Sequence, residues 1–165
     1  MRLFLAGGAM ILSATGVAAA ETKQFLTLAD ATTMAEACLK HQSKAKYKPI
    51  NVVIVDDGGN IVLTNRQDGA CKACGDIAES KARTAALFDD ATRSFELKAY
   101  GKNKDGEAAE MPGIALVPGL IAFPGGVPIH SGGTVIGGIG VSGASGDEDE
   151  QCAIAAIGAF QASQH

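Results

Sequence analysis

The sequence predicts one α+β domain, an antiparallel sheet of about five short strands combined with amphipathic helices. Two pairs of β-branched runs, 50–55 with 61–63 and 127–129 with 135–141, are joined by glycine-containing turns and read as hairpins. Two other stretches, 31–41 and 72–88, repeat apolar and small residues at three- and four-residue steps, which is the helical period. The 165 residues suffice for one sizeable core and are too few for two ordinary domains after any leader is removed.

The first segment reads as such a leader. Met1 to Ala20 carries one charge, Arg2, then an apolar run broken by small residues and closing on Val17-Ala18-Ala19-Ala20. This is the pattern of a signal peptide cut after Ala20, so the mature protein is expected to be residues 21–165, a single domain exported to the periplasm or beyond the cell. The apolar run is too short for a retained anchor, and nothing later approaches a membrane span. Without Arg2 the mature chain holds 13 basic residues against 18 acidic ones, a net charge of −5. With no basic cluster either, that balance argues against nucleic acid and against an anionic membrane surface. The absence of tryptophan removes the usual stacking platform for sugars and single strands.

The mature chain opens on a helix. Thr27 and Asp30 make a capping box, and Ala31, Met34, Cys38 and His41 follow as one buried stripe that Lys46 to Pro49 ends. The run 50–55 is a strand buried on both faces, 56–60 is turn chemistry, and 61–63 resumes the extended chain. Past Gly69 the period lengthens: Cys74, Ile77, Ala78, Lys81, Ala82, Ala85 and Phe88 line one side of a helix over 72–87. Asp89 and Asp90 stop it, and Thr92 is the expected N-cap of a shorter helix reaching Tyr100. The polar stretch 101–113 has no period and reads as a long surface loop whose end, Met111-Pro112-Gly113, could cover a ligand. Residues 120–122 read as a third short strand. Then comes the glycine-rich hairpin 123–146, in which Val135, Ile139 and Val141 share one face. Gly137, Gly138 and Gly140 sit inside its second strand, where glycine costs about 0.5–1 kcal/mol, so something approaches the backbone there: a packed helix, a flat ligand or a partner subunit. The acidic run 147–150 favours a helix N-terminus, and Cys152, Ile154, Ala155 and Phe160 of that last helix can pack inward. Solvated dipole-compensating charge explains the run better than a metal site does.

Four cysteines, Cys38, Cys71, Cys74 and Cys152, in an exported chain imply disulfides. Cys71 and Cys74 form a C-x-x-C followed by Gly75, which is not the CxxCH of covalent c-type haem. A structural disulfide there is the first reading, thiol–disulfide exchange the second, and a zinc site lacks further ligands.

The segments VVIVDDGGNIV, RQDGA, IAESKARTA, GGVPI and GGIGVSGASGDEDEQCA, spread from Leu26 to Phe160 in this order, resemble the GlcG/HbpS-like family. That family includes extracellular haem-binding proteins and the C-terminal domain of certain corrinoid adenosyltransferases. The resemblance implies a profilin-like fold with helices flanking the sheet, assembly into a homo-oligomer, and binding of haem or a related tetrapyrrole near subunit contacts. In that fold the first and last helices are neighbours, which implies a Cys38–Cys152 disulfide beside Cys71–Cys74. Two positions depart from the family pattern: Gln67 stands where a methionine is usual, and Cys71 where a non-cysteine residue is frequent. Arg66, Asp68, Lys81 and Thr84 match polar family positions. In a tetrapyrrole site Arg66 or Lys81 would pair with propionates, Asp68 would orient the arginine and Thr84 would hydrogen-bond. No axial iron ligand carries over. Among His41, His130, Met34, Met111, Tyr47 and Tyr100, His41 is the expected iron contact because a helix end beside a loop can open, with His130 in the hairpin as the competitor.

Taken together, these residues predict an exported binding protein for haem or a related tetrapyrrole, used in capture, storage or sensing. A thiol–disulfide or haem-degrading oxidoreductase is the alternative. No nucleophile beside a base is visible, so binding is the better reading.

Overall fold

In the computed structural model, which describes residues 24–101 and 108–164, the helices and strands follow largely where the periodicities put them. Helix α1 spans Leu28–Ala45, strands β1 and β2 span Asn51–Asp56 and Ile61–Arg66, and helices α2 and α3 span Cys74–Phe88 and Thr92–Tyr100. A 3₁₀ turn at Ile114–Leu116 precedes strands β3 (Gly126–Ser131) and β4 (Thr134–Ser142), and helix α4 (Gly146–Ser163) closes the chain. The expected signal peptide at 1–20 and the middle of the polar loop lie outside the described residues.

The sheet is antiparallel with order β2-β1-β4-β3. It has four strands rather than about five: residues 120–122 are not a strand. The Ile121 N–H donates to the Thr84 hydroxyl at 3.0 Å, so a helix side chain takes the bond a neighbouring strand would have taken. Leu120 and Ala122 instead join Phe95 and Ala99 in a small satellite core beneath the 3₁₀ turn.

Strand β1 is central and buried on both faces. Ile50, Val52 and Ile54 meet Ala31, Met34 and Cys38 of α1 and Cys152, Ala153, Ala156 and Phe160 of α4. Val53 and Val55 point the other way, to Ala78, Ala82 and Ala86 of α2. The strand glycines therefore have a definite partner. A Cβ on Gly140 would lie 1.9 Å from the Ala78 carbonyl oxygen, and one on Gly138 would lie 2.4 Å from that of Ala82. Helix α2 thus rests backbone to backbone on β4, which is why an alanine stripe faces a glycine strand. One face of β4 differs from expectation. A register irregularity beside Ile129 and His130 turns Ile136 into the main core, and Val135 stays half-exposed.

The helix ends follow their sequences. Thr27 and Asp30 form the expected capping box of α1, and Ser145 with Glu148 forms a second one on α4. Thr92 is the first residue of α3 and not its cap: it is fully buried, and its hydroxyl accepts the Gly126 N–H at 2.9 Å. Gln67 has a matched partner. Its carbonyl oxygen accepts the Ile50 N–H at 2.8 Å, and its amide donates at 2.9 Å to Gln42, whose own amide donates to the Tyr47 carbonyl. The end of β2 is thereby tied to the end of α1 by a satisfied, largely buried pair.

Candidate functional site

The six residues expected to meet a ligand fall in four separate places. His41 lies on α1, among the helices of the main core. Its ring is 5.8 Å from that of Tyr47, and its Nε2 is enclosed without a hydrogen-bond partner. His41 itself is half-buried, and its Nε2 is closed off from solvent at this point of α1. Arg66 and Asp68 sit at the end of β2, near the start of α2. The Arg66 guanidinium donates to the Ala70 carbonyl at 3.2 Å, and among the described residues no ion pair joins it to Asp68.

Lys81 is the third place, inside the fold. Its side chain is 1% exposed; its ammonium donates to the Val141 carbonyl at 2.8 Å and to the Asp149 carboxylate at 3.1 Å, and lies 4.8 Å from the centre of the Phe123 ring. Burial pushes the Lys81 ammonium down and the Asp149 carboxyl up, and each is pulled back by the charge of the other. Such a cation joins α2 to the start of α4 and has no freedom to meet a propionate. Asp149, read as solvated charge, is 3% exposed and also accepts the Ala144 N–H at 3.0 Å. The sequence held a clue to it: a lysine in an otherwise small and apolar stripe needs a buried anion.

The fourth place is the C-terminal half of α2, where a cleft of about 190 Å³ is lined by Arg83, Thr84, Leu87, Phe88 and the segment 117–120. Leu87, Phe88 and Val117 are partly exposed there at 54%, 49% and 41%, an apolar surface that the helical stripe alone did not predict. Asp89 follows as the left-handed C-cap of α2, and its carboxylate lies 2.6 Å from His130 Nε2. Thr84 and His130 are thus brought to one end of one helix, and Arg83 joins them although the sequence reading passed over it.

A larger cleft of about 460 Å³ lies between the start of α1, the tip of the β3–β4 hairpin and the end of α4. Its lining includes Gln24, Thr27, Asp30, Ser131 and Gln164 with Phe25, Ile136 and Phe160. Among the described residues Asp30 is its one charged lining residue and is committed to the capping box, and none of those residues is an imidazole or a cation. Among the described residues no three His, Cys, Asp or Glu side chains converge as for a metal ion, and no helix is long and apolar enough to cross a membrane.

The cysteines divide into two pairs. Cys71 and Cys74 are bonded, with Cα atoms 5.3 Å apart, and Cys71 is exposed just before α2. Cys38 and Cys152 are unbonded, fully buried thiols that face each other between α1 and α4. The hydrogen bond with Cys152, together with burial, pushes the Cys38 thiol far up.

The match to known proteins covers most of the chain. A family model described as haem degrading protein HbpS-like matches residues 26–158. Protein GlcG of Escherichia coli is 32% identical over 122 residues, covering 74% of this chain and 84% of GlcG. A solved double mutant of Streptomyces reticuli HbpS superposes with a TM-score of 0.72 at 35% identity, covering 88% of this chain and 97% of that one. The solved complex of PduOC with haem does so with a TM-score of 0.71 at 28% identity, covering 82% and 95%. With its fold, its helix-on-glycine packing and its separated motifs all accounted for within one unbroken match, the chain belongs to the HbpS-like family.

Proposed function

We propose that this protein binds haem or a closely related tetrapyrrole, that residues 1–20 export it, and that the mature domain 21–165 works in capture, storage or sensing outside the cytoplasm. The observation that carries the reading is the likeness, over 82% of this chain, to a relative solved as a haem complex. The cleft at the end of α2 suits such a ligand in kind: apolar walls for the ring from Leu87, Phe88 and Val117, and one guanidinium for a carboxylate from Arg83.

His130 is the better prepared of the two histidines. With Nε2–H donating to Asp89, Nδ1 keeps its lone pair for iron, and an imidazole oriented by a carboxylate is the usual arrangement of a metal-bound histidine. Bound haem would supply the metal, and the chain's own part is to orient the ring, pair its carboxylates and exclude water.

Titration of haemin into the purified mature protein tests the proposal. A saturable, shifted Soret band supports it, and haemin absorbance that stays that of free haemin overturns it. An exposed Cys71 bonded to Cys74 at a helix start supports a second reading, thiol–disulfide exchange. Turnover of a disulfide substrate that disappears in Cys71→Ser, without any Soret change, would favour that reading over haem binding.

A further inference from the structure

We infer that Arg83 is the carboxylate anchor of the α2 cleft, that the β1–β2 turn bounds its stem, and that the cleft selects a flat apolar ring by a free carboxylate on one edge. This rests on the tetrapyrrole reading and specifies what the cleft selects. Among the described residues Arg83 is the one charged residue lining the cleft; Leu87, Phe88, Val117, Pro118 and Leu120 are apolar, and the Thr84 oxygen already accepts the Ile121 N–H. The guanidinium is available. It meets Glu79 at 3.5 Å in an exposed pair one helical turn away, an interaction of the kind that contributes little and exchanges easily for a bidentate carboxylate.

Its stem has a neighbour outside α2. Gly59 adopts φ +77° at the turn between β1 and β2, and a Cβ there would lie 3.6 Å from Leu87 Cδ1 and 3.8 Å from Arg83 Cγ, so the turn bounds both side chains across a gap of about one methyl group. That turn is stiff: the Asp56 carboxylate accepts the N–H groups of Gly58 and Asn60 at 2.9 and 2.8 Å, and the Asp56 carbonyl accepts the Gly59 N–H at 3.0 Å. A stem bounded on one side by a stiff turn has fewer conformations to lose when an anion binds, which lowers the entropic cost of recognition. Among the described lining residues none is a histidine, cysteine, methionine or tyrosine, so selection within the cleft acts on the carboxylate edge and the ring, separately from the iron contact proposed for His130.

The test compares haemin, metal-free protoporphyrin IX and its dimethyl ester on the mature protein by absorbance and fluorescence titration. Wild type should bind the free acid at least tenfold more tightly than the ester. Arg83→Gln should remove that preference while leaving ester affinity unchanged, and Arg83→Lys should keep part of it. Asp56→Ala should also weaken the free acid and spare the ester, which a general loss of folding would not do. Equal binding of acid and ester by wild type, or an unaltered preference in Arg83→Gln, overturns the inference while haemin binding leaves the tetrapyrrole reading standing. Binding of none of the three by wild type overturns both.

Discussion

Lys81 and His130 show how far a residue's environment can depart from its place in a sequence pattern. A polar residue at a family position reads as a ligand contact, yet Lys81 is spent on Asp149 inside the fold. Removing one partner of a buried pair leaves an uncompensated charge, so Lys81→Met is expected to destabilise the domain by about 3–5 kcal/mol, measured by urea unfolding. Replacing both partners by apolar residues should recover much of that loss; a Lys81→Met protein as stable as wild type would mean that the pair is not formed. His130 reverses the case, because its partner Asp89 is a helix stop and carries no sequence signal of its own. His130→Ala is expected to lose the shifted haemin Soret band and weaken haemin binding by tenfold or more, with His41→Ala leaving both intact. The opposite result would restore the enclosed His41 as the iron contact.

Elements were the most legible level. The α1 capping box, the two hairpins and the small-residue stripe of α2 all stand where local chemistry places them. What could not be read was pairing that depends on distant chain: residues 120–122 have strand composition but find Thr84 before they find a strand, and the occupant of the glycine strand was one of three possibilities. Gly140→Ala tests the outcome. A methyl group there meets the α2 backbone and not a flexible side chain, so overpacking of about 1–3 kcal/mol or more is expected, seen as a lowered urea midpoint. The cap of α4 adds a pH dependence. Hydrogen bonds from the Ser145 backbone and hydroxyl hold the Glu148 carboxyl below its ordinary range, so its contribution is present above that range and is lost as pH falls through the lowered value. Ser145→Ala should cost about 1 kcal/mol at neutral pH and flatten the acid limb of the stability profile. Between α1 and α4 the facing thiols of Cys38 and Cys152 set a third expectation, that an oxidising compartment would join them. In the chain-entropy model a bond closing a loop of most of the mature chain stabilises by about 4–5 kcal/mol. Non-reducing peptide mapping that finds both thiols free in the exported protein would remove it.

At the scale of the whole molecule, the site was less legible than the fold because a cleft is a property of surfaces brought together. Phe88 was assigned inward from its helical phase, but α2 ends where the sheet no longer covers it, and Phe88 meets water and the 117–120 segment instead. The same geometry bears on assembly. A cleft of about 190 Å³ is smaller than the roughly 300 Å³ at which ligand pockets begin, so it holds one edge of a flat ligand and leaves the rest to be covered. Beside it stands Leu116 at 84% exposure, next in the chain to Val117 of the cleft wall. Exposed apolar side chains around a half-formed pocket are what a second copy would cover, and a two-fold contact there would complete two pockets at once. Light scattering of the mature protein is therefore expected to give at least twice the chain mass at micromolar concentration, and Leu116→Glu with Val117→Glu should lower both that mass and the affinity for haemin. A wild-type protein that stays monomeric throughout that range, while still binding haemin in a saturable way, would show that one copy closes the pocket by itself.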